Sequence, residues 1–281
     1  NNIDLVFLDR YGFPIGRVWF SKMGSTALIR RKQLDAANCE LGLNLVLDLI
    51  RQKVNNQLAF LKKLKYARPD KKELFQAPLN TIEGSLEALD RNFKDLDESR
   101  LIIMGLEGTA GRAYFSCISK IMPEKFRFKG RSKRPAKNQF NAVLNYCYGV
   151  LYSRVEKACI IAGLDPFVGF MHTDNYNKKS LVFDLIEPFR IFAEQTAVYL
   201  FTGKKAKNEY FDIKEHSCSL NDKGKPVVIE SLNRHLEEKV RYKRRNVKRK
   251  YIISHEAHKL ANILLEDEAM AHPEWLDIKE F

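Results

Sequence analysis

Leu34-Asp35-Ala36-Ala37-Asn38-Cys39-Glu40-Leu41-Gly42-Leu43-Asn44-Leu45-Val46-Leu47-Asp48-Leu49-Ile50-Arg51-Gln52-Lys53-Val54-Asn55-Asn56-Gln57-Leu58-Ala59-Phe60-Leu61 decides the fold class. Its apolar residues step by three and four, first at Leu34, Ala37, Leu41, Leu45 and Leu49, then at Leu47, Ile50, Val54, Leu58 and Leu61. That spacing predicts one long amphipathic helix from about Arg30. Lys62, Lys63 and Lys65 crowd its end, where cations suit the helix dipole, and Pro69 lies beyond.

Toward the N-terminus the pattern is extended. Ile3–Leu8 is β-branched and aromatic, Tyr11-Gly12-Phe13-Pro14 turns, and Ile15–Phe20 continues as a second strand. Two strands alone are marginal, so the pair is expected to belong to a larger sheet. Toward the C-terminus, helices are predicted at Leu79–Lys94, Ser99–Met122, Asn138–Gly163, Leu181–Gly203, Ile229–Tyr251 and His255–Asp267. The clearest stop is Ala162-Gly163-Leu164-Asp165-Pro166, a glycine cap followed by proline. Only Phe211–Ile213 and Cys218–Leu220 read as short strands. The expected class is α+β, mainly α: residues 1–22 as the remnant of an N-terminal β-domain and 23–281 as a helical domain.

Charge is the second signal. The 281 residues carry 48 Lys and Arg against 35 Asp and Glu, a net +13. Lys125–Lys137 holds Lys125, Arg127, Lys129, Arg131, Lys133, Arg134 and Lys137 with no acid; Lys239–Lys250 holds Lys239, Arg241, Lys243, Arg244, Arg245, Lys248, Arg249 and Lys250 with no acid. Without those fifteen, 33 basic side chains face 35 acidic ones, so the basicity belongs to two short segments. Solvated helix faces normally interleave acids; these do not, which points to a polyanion. No apolar stretch approaches the roughly 20 residues of a membrane span. Five dispersed cysteines without a CxxC pair argue for buried free thiols and against a zinc ribbon, as in a reducing compartment. GxxxxGK[ST] and GxGxxG are absent, so nucleotide hydrolysis is not indicated.

Three places could carry chemistry. In Gly105-Leu106-Glu107-Gly108-Thr109-Ala110 an acid stands between glycines; it reads either as a ligand-approachable carboxylate or as a helix-start acid. In Gly169-Phe170-Met171-His172 the histidine reads either as structural or as a ligand. In Ser180-Leu181-Val182-Phe183-Asp184-Leu185-Ile186-Glu187-Pro188-Phe189-Arg190, two carboxylates lie three apart on an apolar helix. They need a cation, and Arg190 as an internal partner is as open as a metal. His255-Glu256-Ala257-His258 is HxxH rather than HExxH and reads as a surface or dipole feature.

Taken in order, these segments resemble the integrase-endonuclease family of CRISPR spacer acquisition. The resemblance runs from Asn2–Asp9 and Gly12 through Lys53-Val54-Asn55-Asn56-Gln57, Glu107-Gly108-Thr109-Ala110, Arg134-Pro135 and Asn141–Tyr148. It continues through Ala162–Pro166 and Gly169–His172 to Ser180–Arg190, most of the chain. It implies a small β-domain joined to a helical catalytic domain. The implied metal set is Glu107, His172 and Glu187 binding Mg²⁺ or Mn²⁺, with Asp184 auxiliary beside it. Also implied are a DNA substrate with 3′-hydroxyl ends, a repeat-containing target, a homodimer, a small ferredoxin-like partner and a prokaryotic cytoplasmic setting. Some relatives are fused to a reverse transcriptase, and that architecture stays open.

The implied reaction inserts captured DNA fragments into a CRISPR array by 3′-hydroxyl transesterification. A general metal-dependent endonuclease on branched or single-stranded DNA is the alternative, and a non-catalytic DNA-binding scaffold is a third reading. Arg112, Arg131, Arg134, Lys137, Arg241, Arg244, Arg245 and Lys248 are the expected DNA contacts. Lys125–Lys137 is expected as a mobile loop closing over DNA with Arg131 and Arg134 on phosphates, and Lys239–Lys250 as a helix tracking a duplex backbone. Two departures stand out. The loop that in many members reads Arg-Pro-Pro and then an aspartate reads Arg134-Pro135-Ala136-Lys137-Asn138 here, and members normally carry several tens of residues before Asn2, so a longer or fused polypeptide is expected.

Overall fold

A computed structural model describes residues 5–9, 14–18, 26–172 and 178–265. The turn at Tyr11–Phe13, the Thr173–Asn175 loop and the end of the last predicted helix lie outside them. The observed class is α+β and mainly helical. Strands β1 (Leu5–Leu8) and β2 (Pro14–Val18) pair antiparallel, Leu5 opposite Val18, as the extended pattern predicts.

The long period does form helix, but in two pieces, α1 (Thr26–Ala36) and α2 (Glu40–Tyr66). The break follows from close approach. A Cβ on Gly42 would stand 2.2 Å from the Ala36 carbonyl oxygen, so the chain turns at 37–39 with α2 tight against the end of α1. Val54, Phe60 and Leu61 on α2 are fully buried. Each such side chain contributes about 1.5–3 kcal/mol of apolar burial.

Next come α3 (Glu73–Leu89) and α4 (Leu96–Ile121), packed on α2 and on each other. The expected start of α3 at Leu79 was too late, because the helix runs through Pro78. Proline has no N–H to offer the carbonyl four residues back. That carbonyl, on Leu74, instead accepts from the Cys117 thiol of α4 at 3.7 Å. Asp95 caps α4 by accepting the Glu98 N–H at 2.8 Å, and Asn138 caps α5 (Gln139–Ile161) by accepting that of Asn141 at 2.9 Å.

The predicted helix Leu181–Gly203 is interrupted. It forms α6 (Ser180–Leu185), a single 3₁₀ turn at Glu187–Phe189 and α7 (Arg190–Thr202), with the break at Pro188. Hairpin β3 (Phe211–Lys214) and β4 (Ser217–Leu220) falls where the two short strands were expected. Helices α8 (Gly224–Glu237) and α9 (Arg249–Leu265) follow, α9 packing on α5 and α1.

Between α8 and α9 the helix expected over Lys239–Lys250 does not exist. The segment is a second hairpin, β5 (Lys239–Tyr242) and β6 (Arg245–Lys248), closed by Lys243 and Arg244 with φ of 45° and 65°. Val240, Tyr242, Val247 and Arg245 share one face, Arg245 at its exposed end, while Lys239, Arg241, Asn246 and Lys248 share the other. The alternation Lys239-Val240-Arg241-Tyr242 has a period of two, and that period prevailed over helix propensity.

Candidate active site

Helix α2 carries a polar stripe inside the core. Lys53, Asn56 and Gln57, spaced three and four apart, are all buried. Asn56 donates through Nδ2 to the Pro188 carbonyl at 2.8 Å, and Gln57 reaches both carboxylate oxygens of Glu194 on α7 at 3.3 and 3.4 Å. Lys53 Nζ donates to Glu187 Oε2 at 2.5 Å and also to Glu107 Oε1 on α4. Two of the three expected site residues, eighty positions apart in sequence, thus meet at one ammonium.

Glu187 is the more enclosed acid. Its side chain is 6% exposed against 26% for Glu107, so Glu107 is the one that faces solvent. Arg190 forks Glu187, Nε to Oε2 and Nη2 to Oε1, both at 2.9 Å. Burial pushes the Glu187 carboxyl up, but Arg190 and Lys53 outweigh it and hold the group down at about 2. Burial likewise pulls Lys53 down, yet Glu187 and Glu107 keep its ammonium above the ordinary lysine value. The internal partnership with Arg190 that the sequence leaves open is therefore present.

His172, on the loop before α6, is tied to that helix by way of Asp184. Its Nδ1 lies 2.5 Å from Asp184 Oδ1, and that carboxylate also accepts three backbone N–H groups. These come from Phe170 at 2.6 Å, Met171 at 3.0 Å and His172 at 3.2 Å. Asp184 is 0% exposed, and the four donors converge on its two oxygens. Its contacts are thus to His172 and to the loop that carries it. The imidazole is 21% exposed, and no described residue bonds to its Nε2.

The loop bearing His172 is held at two more points. Gln33 of α1 donates to the carbonyls of Asp165 and Val168 at 2.8 and 2.7 Å, and Arg100 of α4 donates to that of Phe170 at 3.2 Å. A Cβ on Gly169 would come within 2.6 Å of Ser180 Cβ and 2.9 Å of Asp184 Oδ2, so the loop must lie flat there.

Oxygen and imidazole donors of this kind suit Mg²⁺ or Mn²⁺, so the residues present fit such an ion by chemistry. The geometry is less complete. With Lys53 lodged between the carboxylates, no three His, Cys, Asp or Glu side chains among the described residues stand together as a metal cluster.

The expected DNA contacts divide. Arg112, Arg134 and Lys137 are exposed, Arg112 donating to Thr109 Oγ1 at 3.0 Å. Arg131 is not available in the expected way. Its guanidinium bonds Asn141 Oδ1 and, at 2.9 Å, Asn145 Oδ1, and lies 5.5 Å from the ring centres of both Phe115 and Tyr148. Nor is the loop a free one. Phe126 and Phe128 are buried, and Ser119 Oγ both donates to the Phe128 carbonyl and accepts its N–H. Arg241, Arg244 and Arg245 are exposed on the β5–β6 hairpin, while Lys248 pairs with Glu237 at 2.8 Å.

The two histidines of HxxH separate: His255 stacks on Tyr242 and His258 bonds the Ser254 carbonyl. Four of the five free cysteines are buried, as expected. Among the described residues no helix is long and apolar enough to cross a membrane.

Sequence reasoning did not single out Lys53 as part of the site. The signal was there, since Lys53, Asn56 and Gln57 interrupt the apolar face of α2 rather than its solvent face.

The family described as CRISPR associated protein Cas1 matches residues 1–234. The CRISPR-associated endonuclease Cas1 1 of Archaeoglobus fulgidus is 35% identical over 266 residues, 88% of this chain and 75% of its own. Among solved structures, a casposase bound to integration product superposes with a TM-score of 0.79 at 24% identity, covering 94% of this chain and 75% of that one. A Cas6-RT-Cas1–Cas2 complex gives 0.74 at 22% identity, covering 94% of this chain and 28% of that chain. These last two likenesses concern the fold. On the family match and the archaeal relative together, the chain belongs to the Cas1 family of CRISPR-associated endonucleases.

Proposed function

We propose that this chain is a metal-dependent DNA integrase and endonuclease that inserts captured DNA fragments into a CRISPR array. The observation that carries the reading is the meeting of Glu107 and Glu187 at one buried cation, with His172 held by Asp184 one helical turn before Glu187 in the chain. Glu107, His172 and Glu187 would hold Mg²⁺ or Mn²⁺, which supplies charge stabilisation to an attacked phosphodiester and acidity to the attacking hydroxyl.

The chain's own residues do the rest. Arg190 fixes both oxygens of Glu187, so this ligand is oriented before substrate arrives. Asp184 accepts from Nδ1 and thereby leaves the Nε2 lone pair outward. Glu107, the more exposed carboxylate, faces the side from which DNA approaches. In the joining step a DNA 3′-oxygen forms a bond to phosphorus, its proton departs, and the bond to the leaving oxygen breaks. Water in place of that hydroxyl gives nuclease activity.

Residues 1–22 we read as part of the β-domain. The working assembly is a homodimer with a small ferredoxin-like partner on DNA in the prokaryotic cytoplasm, with a fused or associated reverse transcriptase as a variant. Supporting this are two fold relatives, a casposase bound to integration product and a Cas6-RT-Cas1–Cas2 complex.

The test incubates the protein, with and without its partner, with a short 3′-hydroxyl duplex and a supercoiled repeat-bearing plasmid in Mn²⁺ or Mg²⁺. Joined product that vanishes with Glu107→Ala and His172→Ala is expected. Nicking without joining under every partner condition favours the general endonuclease, and DNA binding with no reaction favours the scaffold. Activity that survives both substitutions overturns the assigned site.

A further inference from the structure

Lys53 is left without a role by the reaction just described, yet its position is among the most determined in the molecule. Its side chain is 10% exposed, and its ammonium bonds Glu107 and Glu187 together. The neighbouring stripe residues Asn56 and Gln57 are bonded into the same wall, which fixes the rotation of α2 and aims Lys53 inward. Glu187 already has Arg190 on both oxygens, so the second cation serves the pair of carboxylates rather than Glu187 alone. Two acids and two bases balance here without any metal.

A divalent cation held by the same two carboxylates would meet the ammonium at contact distance. Like charges that close repel strongly in a buried site. Arg190 cannot give way, because its planar fork matches the carboxylate at two points. Lys53 can, because its charge rides on a flexible four-carbon stem and engages each acid at one point.

We propose that Lys53 is the resident counter-ion of the Glu107–Glu187 pair and that a divalent cation binds by displacing its ammonium. This rests on the metal-dependent reading above and adds a competition to it. In the metal-free protein the lysine keeps two acids side by side that would otherwise repel. Metal affinity is then set by how readily that ammonium leaves.

The test is Lys53→Met, which keeps length and removes charge, followed by Mn²⁺ titration with free Mn²⁺ read by electron paramagnetic resonance and by melting in chelator. The variant is expected to bind Mn²⁺ at least tenfold more tightly than wild type. It should melt lower in chelator and gain more from Mn²⁺. Equal or weaker Mn²⁺ binding by folded Lys53→Met overturns the proposal. Should that variant not fold without metal, the wild type carries the test. Lysine acetylation read by mass spectrometry should rise at Lys53 on Mn²⁺ addition, relative to surface Lys62, and no rise with Mn²⁺ bound overturns it. Wild type that takes up no more Mn²⁺ than Glu107→Gln removes the metal reading itself, an outcome distinct from failure of the Lys53 exchange.

Discussion

Asp184→Asn is the most informative single change in the site, because it alters one atom and two properties. The carboxylate accepts N–H groups from Phe170 and Met171 on Oδ2, and the N–H and Nδ1 of His172 on Oδ1. An amide keeps one acceptor oxygen and turns an NH₂ toward the other pair of donors. With its oxygen on the Phe170–Met171 side, the NH₂ faces His172. Two hydrogen bonds to a charged acceptor are lost at about 1.5–3 kcal/mol each, offset in part by what the amide makes. A net loss of about 2–4 kcal/mol follows, or roughly 5–15 °C in melting temperature for a domain of this size.

The second property is the tautomer. Against a carboxylate, Nδ1 must donate, so Nε2 carries the lone pair. Against an amide NH₂, Nδ1 must accept, and the proton moves to Nε2, where it blocks ligation. The DNA-joining rate should therefore fall about 10–100-fold, the range for groups that orient a metal-bound histidine. Melting by calorimetry in chelator, joining on a repeat plasmid and ¹⁵N resonances of the His172 ring measure the three effects separately. A variant that melts lower yet keeps both the Nδ1–H tautomer and the joining rate would refute the orientation argument. An unchanged melting temperature would refute the hydrogen-bond account.

Other consequences are as direct. Ser119→Ala removes both bonds to Phe128 and leaves a buried N–H and carbonyl without them, so about 1–3 kcal/mol of stability should be lost. Faster proteolysis within 124–138 would show that the basic loop is what loosens. Neutralising Arg241, Arg244 and Arg245 together should lower the slope of log affinity against log salt by about 2–3, at roughly 0.9 per duplex phosphate. An unchanged slope in filter binding would take the hairpin out of the DNA footprint. His235 is held down at about 4 by burial and by Arg249, against an ordinary 6.5. Below pH 6.5 the unfolded chain takes up a proton there that the folded chain refuses. Its contribution is whole above 6.5 and lost toward pH 4, up to about 3 kcal/mol at about 1.4 kcal/mol per pH unit. Denaturant midpoints that fall over this range in wild type but stay flatter in His235→Gln are the expected result.

What the sequence disclosed follows from which forces are local. Helices α2, α4, α5 and α9 are legible because their burial repeats with the helical period. The α1–α2 break is not, because the contact of Gly42 with the Ala36 carbonyl is a matter of close packing. Nor is the passage of α3 through Pro78, which depends on a thiol two helices' worth of chain away. In the site, Glu107, His172 and Glu187 could be named as residue types, each with a bland reading beside it. Their relation could not, because it is set by Lys53 and Asp184. Asp184 is indistinguishable in sequence from an acid that binds metal directly; only the structure shows its oxygens taken up by His172 and three backbone N–H groups.

Counting charge along the chain overstates the charge available to a ligand, and the β5–β6 region shows by how much. Of the basic residues at 239–250, Lys248 and Lys250 pair with Glu237, Arg249 pairs with Glu238, and Lys243 with buried Glu256. Those acids lie on α8 and α9 or at the end of α8, so a segment without acids is still neutralised by its neighbours. No described residue pairs with Lys239, Arg241, Arg244 or Arg245, and all four are exposed. Lys239 and Arg241 lie on one face and Arg244 at the tip, with Arg245 entering the return strand. The turn that presents them is locally unfavourable. Lys243 and Arg244 both adopt a left-handed conformation that suits Asn or Gly and costs a substituted residue about 1–2 kcal/mol. The burial of Tyr242 under the hairpin and its bond to Glu256 help offset that cost. Arg241 lies opposite Asn246 and Arg245 opposite Tyr242, so these two arginines leave the ribbon on opposite faces, on either side of the tip. Four cations without an acid partner bound the salt slope from this element at about 3–4, half of what the eight basic residues of the segment would suggest.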